Sequence, residues 1–227
     1  IGFIKIMGIQ ERKERERERR RQQIIVAAKR VFSAKGFNKA TMEDIAKEAE
    51  LSPGTIYIYF KNKDELYASL SLRILKHLNI RLEHVKNESY SDHDDRISSL
   101  KQALYDVYEF DPLILINMFH LQSSETLKSL SPKLMEEIKQ LSRSSLGTMA
   151  EIFEEGIRKG AFIDQHPVAL ADILWAMFSG IVLWEESKRI INQDKDYLKP
   201  TLEAAFDIFR QGITKTVATD NSSKRKN

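Results

Sequence analysis

Between Leu51 and Leu66 the chain reads Leu-Ser-Pro-Gly-Thr-Ile-Tyr-Ile-Tyr-Phe-Lys-Asn-Lys-Asp-Glu-Leu, two helix starts in sixteen residues. Only a helix of about two turns fits between them. Ser52 is a helix cap, Pro53 has the φ that a first helical residue needs and no amide to satisfy, and Gly54 lets another backbone approach closely. Ile56 and Phe60 are four apart and share a face that buries, while Thr55, Tyr57 and Tyr59 point elsewhere and need a partner. Asn62 with Glu65 three residues on is a capping-box-like start for the next helix. It places Lys61 and Lys63 at a positive helix end, where phosphate is the natural ligand.

The same grammar precedes this stretch. Thr41 and Asp44 predict a cap with an acidic first turn, and Ile45, Ala46 and Ala49 give the short helix that follows a small-residue face. Ile24, Ala28, Val31 and Phe32 recur at helical spacing, and Lys35-Gly36-Phe37 supplies a basic last turn and a glycine stop. The turn Glu50-Leu51-Ser52 has the length a helix-turn-helix requires, so the unit is predicted to read DNA.

Charge agrees with that expectation. The net charge of the chain is only +3, but residues 11–63 hold fourteen Lys/Arg against eight Asp/Glu and Lys5 adds one more positive charge, which leaves residues 64–227 at −4. A basic head on an acidic remainder is the footprint of a nucleic-acid binder. Glu11 to Arg21 alternates in sign; it is either a solvated helix start or disordered arm, or an arm that reaches DNA. Ile1 is not an initiator and Met7 lies just inside the chain, so residues 1–6 are left out of fold reasoning.

With 227 residues, 42% of them hydrophobic, the chain buries a sizeable core. It has no cysteine, which excludes disulfides, a thiol nucleophile and thiolate zinc sites, and fits a reducing, cytoplasmic setting. No secretory signal is read at the N-terminus. The apolar run Val168 to Trp184, interrupted by Asp172, is about seventeen residues and falls short of the roughly 20 a membrane span needs; no membrane partner is expected.

Leu66, Leu70, Ile74, Leu78 and Leu82 repeat every four residues and predict a long connecting helix. Asn87 to Asp95 reads as a loop whose Asp92, His93, Asp94 and Asp95 start a helix or, alternatively, hold a metal. Ile97, Leu100, Leu104, Val107 and Tyr108 mark a helix broken at Asp111-Pro112, before an apolar segment over 113–121. Ser131-Pro132 opens a long amphipathic helix that ends at Arg158-Lys159-Gly160. Pro167 opens a helix apolar nearly all round, which requires cover on both sides. Leu198, Leu202, Ala205, Phe206, Phe209, Ile213 and Val217 form a last stripe. These two helices, near 167–187 and 198–217, predict a four-helix homodimer interface. The chain is all-α, with nine or ten helices. A head at 18–64 is joined by a long helix to an effector-binding and dimerisation body at 65–218, and 1–17 and 219–227 are expected to be flexible.

Thr41-Met-Glu-Asp-Ile-Ala, Leu51-Ser-Pro-Gly-Thr-Ile-Tyr-Ile-Tyr-Phe and Lys61-Asn-Lys-Asp-Glu-Leu closely resemble the signature of the TetR family of bacterial transcriptional regulators, over residues 20–70. The resemblance implies a three-helix head and a ligand-responsive dimeric body. It implies phosphate contacts at Thr41, Tyr59 and Lys63 and groove-facing positions at Pro53, Gly54, Thr55, Tyr57 and Ile58, beside the cap Ser52. Ile58 either touches a thymine methyl or packs under its helix.

The expected function is a homodimeric repressor released from a near-palindromic operator by a hydrophobic small molecule. Tyr108, Met118, Phe119, Met149, Phe153, Trp175, Met177 and Phe178 are the pocket candidates, with His120 and Asp172 as polar anchors; the alternative for each is plain core. The five histidines show no metal-ligand pairing, and neither a phosphate loop nor a nucleophile elbow is present. No enzyme activity, metal or cofactor is expected.

Overall fold

The computed structural model describes residues 2–90, 93–122, 127, 130–191 and 196–215, with side chains left undescribed at 2–9, 93–94, 120–122 and 190. Among them nine helices carry the fold: α1 (Gly2–Lys39), α2 (Met42–Glu48), α3 (Pro53–Tyr59), α4 (Lys63–Asn87), α5 (His93–Phe110), α6 (Pro112–Gln122), α7 (Pro132–Arg158), α8 (Pro167–Ile191) and α9 (Leu198–Ile213). The all-α expectation holds, and the one β-bridge described, Phe162 with Thr214, joins loop to loop.

Two compact units result, Ile1–Leu75 with Asp111–Gln140, and Lys76–Phe110 with Leu141–Asn227. The division falls inside α4, and it places α6 and the start of α7 with α2 and α3. Lys29 helps account for this, since its ammonium lies 2.5 Å from Asp111 at the head of α6.

In the first unit Ile24, Ala28, Val31 and Phe32 of α1 are buried with Ile45 and Ala46 of α2, Ile56 of α3 and Leu66, Leu70 and Ile74 of α4. The helical spacing read from the sequence thus becomes one core. Residues 1–17, expected to be flexible, include the start of α1, which is helical from Gly2. Pairs one turn apart support the helix over residues 16–22: Glu16 meets Arg19 at 3.0 Å and Arg20 at 3.6 Å, and Gln22 donates to Glu18 at 2.7 Å.

In the second unit α5 and α8 pack on α9. Leu170, Leu174, Phe178 and Val182 bury one face of α8, and Leu198, Leu202, Phe206, Phe209 and Ile213 bury one face of α9. Gly160, at φ +75, ends α7 in a left-handed turn that glycine adopts without strain. The chain then returns over Gly156, where an added Cβ would lie 2.2 Å from the Phe162 ring. α9 stops at Ile213, earlier than the 217 expected, because Thr214 turns extended to face Phe162. α8 continues to Ile191, and Pro167–Arg189 is long and apolar enough to cross a bilayer by length and composition, which corrects the shorter run read from the sequence.

Candidate nucleic-acid interface

The predicted reading helix is built from its root upward. Ser52 Oγ accepts from the Thr55 amide at 3.1 Å and lies 2.8 Å from the Thr55 hydroxyl, so cap and first turn lock together. Ile56 is fully buried and Phe60, at the C-cap, is buried beside it. Tyr57 is 50% exposed and Ile58 69% exposed. Packing under the helix is thereby excluded for Ile58, and an exposed isoleucine next to an exposed tyrosine leaves an apolar tip that no group among the described residues covers. Pro53 and Gly54 are exposed at the start of the helix, and Thr55 and Tyr59 are half-buried on its sides.

α2 is fixed beside it. Thr41 accepts from the Asp44 amide at 3.1 Å and Asp44 accepts from the Thr41 amide at 3.2 Å, a complete capping box. Lys35 approaches Asp44 to 2.6 Å and holds its carboxyl below the usual carboxylate range. Gln23 donates to the Ala49 carbonyl at 2.9 Å, which ties α1 to the turn. That turn contains Glu50 at φ 54, a left-handed residue where glycine is commonest. Sequence spacing located the turn but not this strain; the signal available was apolar Leu51 just after Glu50, the hydrophobic position that follows such a helix end.

Two basic groups have partners inside the unit. Arg21, counted with the N-terminal arm, donates to Ser69 at 3.2 Å and lies over the Phe60 ring at 5.2 Å, inside the unit. Lys63, read as a phosphate contact, donates to the carbonyls of Phe37 (2.7 Å), Ala40 (3.1 Å) and Asn38 (3.4 Å). Asn62 accepts from the Glu65 amide at 2.8 Å, and Glu65 accepts from the Lys61 amide at 2.7 Å, so α4 begins as the sequence indicated.

The effector candidates divide. Met118 and Phe119 are buried in the first unit, whereas Tyr108, Met149, Phe153 and Phe178 are buried and Trp175 and Met177 half-buried in the second. Phe153 lies 5.9 Å from Phe209 and 6.2 Å from Phe162 in ring-to-ring contact, the geometry of ordinary core. Three described clefts run along α1 and α2, and none is lined by these residues. Asp172 is exposed on α8 and so is no buried anchor. His120, Asp92, His93 and Asp94 lie outside the described side chains, and among those described no group of three metal-binding residues occurs.

A two-turn helix buried at its root, exposed at its tip and set behind a second capped helix defines a helix-turn-helix transcriptional regulator. The family described as bacterial regulatory proteins, tetR family, matches residues 24–70, and the QacR-like protein C-terminal region matches residues 86–215. The HTH-type transcriptional regulator YhgD of Bacillus subtilis is 26% identical over 185 residues, 81% of this chain and 93% of that protein. The fatty acid metabolism regulator protein of Bacillus subtilis is 27% identical, over 84% of this chain and 94% of its own. Among solved structures, the regulator FadR from Bacillus subtilis in complex with stearoyl-CoA shares the fold with a TM-score of 0.65 at 21% identity, covering 85% of this chain and 98% of that one. The TetR family transcriptional regulator PfmR from Thermus thermophilus does so with a TM-score of 0.65 at 20% identity, over 83% and 97%. The chain belongs to the TetR family of bacterial transcriptional regulators. Family and fold are thus as the sequence motifs indicated.

Proposed function

We propose that this chain works in the cytoplasm as a homodimeric repressor whose domains are a reading head at 18–64 and an effector and dimerisation body at 65–218. The observation that carries this reading is the exposed tip of α3, Tyr57 and Ile58, on the fully buried root Ile56. Tyr57, Ile58, Thr55, Gly54 and Pro53 face the major groove, where Ile58 meets a thymine methyl, and Thr41, Ser52 and Tyr59 face phosphate. Two heads read half-sites about 34 Å apart on a near-palindromic operator.

The outer faces of α8 and α9 meet a second copy rather than a bilayer, and the body binds a hydrophobic effector. An acyl thioester is the first candidate, because a relative of the same fold is named in complex with stearoyl-CoA. Its binding favours the conformation whose heads miss the half-sites. No catalysis is assigned.

The test selects bound duplexes from a random pool with the wild-type protein and repeats binding with Tyr57→Ala and Ile58→Ala. Each substitution is expected to cost roughly 1–3 kcal/mol on the selected duplex and to relax preference at one base position. Unchanged sequence preference in both variants would overturn the groove assignment. Long-chain acyl-CoA is then titrated into the complex, with release expected.

A further inference from the structure

Lys63 opens α4, where a helix disfavours a cation because its first amides carry partial positive charge. A lysine in that place is explicable when its charge serves a different helix. We infer that Lys63 is a positioning residue that pins the end of α1 to the first turn of α4, and not a contact to the phosphate backbone. The inference rests on reading the head as a DNA-binding unit.

Three contacts use its full complement of donors. An ammonium has three N–H groups, and three carbonyls, those of Phe37, Asn38 and Ala40, lie at 2.7, 3.4 and 3.1 Å. Phe37 and Asn38 lie in the short turn that follows the break of α1 at Gly36, and their carbonyls have no partner further along it. They are turned toward Lys63 by the break at Gly36, where φ 74 and ψ 160 interrupt the helix in a region only glycine visits readily. The carbonyls that follow the break in α1 thus receive the cation that the positive end of α4 disfavours.

The Phe37 ring adds a second hold. Lys63 Nζ lies 4.4 Å from its centroid. Tyr67, one turn later on the same face of α4, meets that ring at 4.7 Å and Phe32 at 5.1 Å. Two neighbouring side chains of α4 therefore grip one residue of α1. The third carbonyl, Ala40, directly precedes Thr41, the cap of α2. Holding it sets the start of α2, and through the turn at Glu50 the start of α3. For Lys63 to reach phosphate it would have to abandon these carbonyls. Lys61, two residues earlier, is exposed at the same helix end.

The experiment uses the whole protein, a duplex selected from a random pool, and an unrelated duplex of equal length. Lys63→Met keeps the stem and removes the charge. Affinity for the selected duplex is expected to fall at least about tenfold, with less than about a twofold change on the unrelated one. The dependence of log affinity on log salt is expected to keep its slope. Amide exchange at Phe37–Ala40 should accelerate. Phe37→Leu should reproduce this pattern, and the double variant should be no worse than either single one. A loss shared equally by both duplexes, with a slope shallower by about 0.9, would identify a phosphate contact and overturn the inference. A lower melting temperature with unchanged binding would overturn it too, by leaving a brace of the fold alone. If the wild-type protein selects no duplex, the DNA-reading assignment is what fails; exchange at Phe37–Ala40 then still decides the pin, and unchanged protection in Lys63→Met rejects it.

Discussion

Glu50 adopts a backbone conformation that its side chain does not favour. Its φ of 54 puts a residue with a Cβ in the left-handed region, and the surrounding bonds hold it there: its amide donates to Lys47 O at 3.1 Å and that of Leu51 to Ala46 O at 2.9 Å. Those two bonds make the helix end in which glycine is the usual occupant. A non-glycine residue there costs about 1–2 kcal/mol, partly regained because glycine loses more freedom on folding. Glu50→Gly is therefore expected to stabilise the protein by about 0.5–1 kcal/mol, measured as a higher urea midpoint with unchanged slope. A lower midpoint would show that the Glu50 side chain makes a compensating contact. Ile58 gives the contrasting case at the same scale: its place in the sequence left burial and exposure equally open even with Ile56 and Phe60 read as the buried face, and its 69% exposure decides it.

Helix faces were legible in the sequence and their partners were not. Leu66, Leu70, Ile74, Leu78 and Leu82, spaced every four, are all buried, because a period of 3.6 residues leaves such a row no other place. The polar residues between them gave no comparable signal. In the second unit Asn79 donates to Leu141 O at 3.0 Å and to Ser145 at 2.8 Å, Thr148 donates to Glu83 at 2.9 Å, and Lys86 lies 2.5 Å from Glu151. These rungs advance by one turn along both α4 and α7, so the two helices run parallel there, a fact that depends on residues some sixty positions apart. The effector candidates show the same limit: helical spacing marks Met118 and Phe153 alike as inward but says nothing of which unit each enters. α5 is tied to α7 by Arg96, buried, at 2.6 Å from Glu155, which Lys159 also meets at 2.6 Å. Lys159 and then Arg96 hold the Glu155 carboxyl down, from 4.5 to about 2. A depressed carboxylate stabilises the fold above its unfolded pKa and loses that contribution as pH falls through the folded value. Wild-type stability should then decline between pH 4.5 and about 2. In Glu155→Gln the decline over that window should be smaller, from a lower starting stability at pH 7 because Arg96 is left buried without its partner. Urea titrations at a series of pH values check both halves of this expectation, and parallel curves for the two proteins would contradict it.

For the whole molecule, the governing quantity is how many heads meet DNA at once. The positive charge concentrated in residues 11–63 gives each head a modest, salt-sensitive attraction to any duplex. Joining two heads turns the second contact into an intramolecular event, which raises affinity for a paired site without adding a contact. The joint is expected on α8 and α9, whose buried rows are backed by exposed apolar groups: Ile173 is 53% exposed, Trp184 63% and Ile208 71%. A tryptophan so placed has the area and shape of an interface hot spot, for which truncation costs about 2 kcal/mol or more, roughly a thirtyfold weaker association. Trp184→Glu adds an unpaired charge to that loss and should convert the protein largely to monomer at micromolar concentration, read by sedimentation velocity. Because Trp184 lies on the outer face of α8, away from Leu174, Phe178 and Val182, the helical content and melting cooperativity of each protomer should survive. Binding to a duplex carrying one half-site should then match the wild-type protein, while the advantage of a second, correctly spaced half-site should disappear. An unchanged dimer in Trp184→Glu would move the joint off this face, and equal loss on single and paired half-sites would place the defect in the head rather than in pairing.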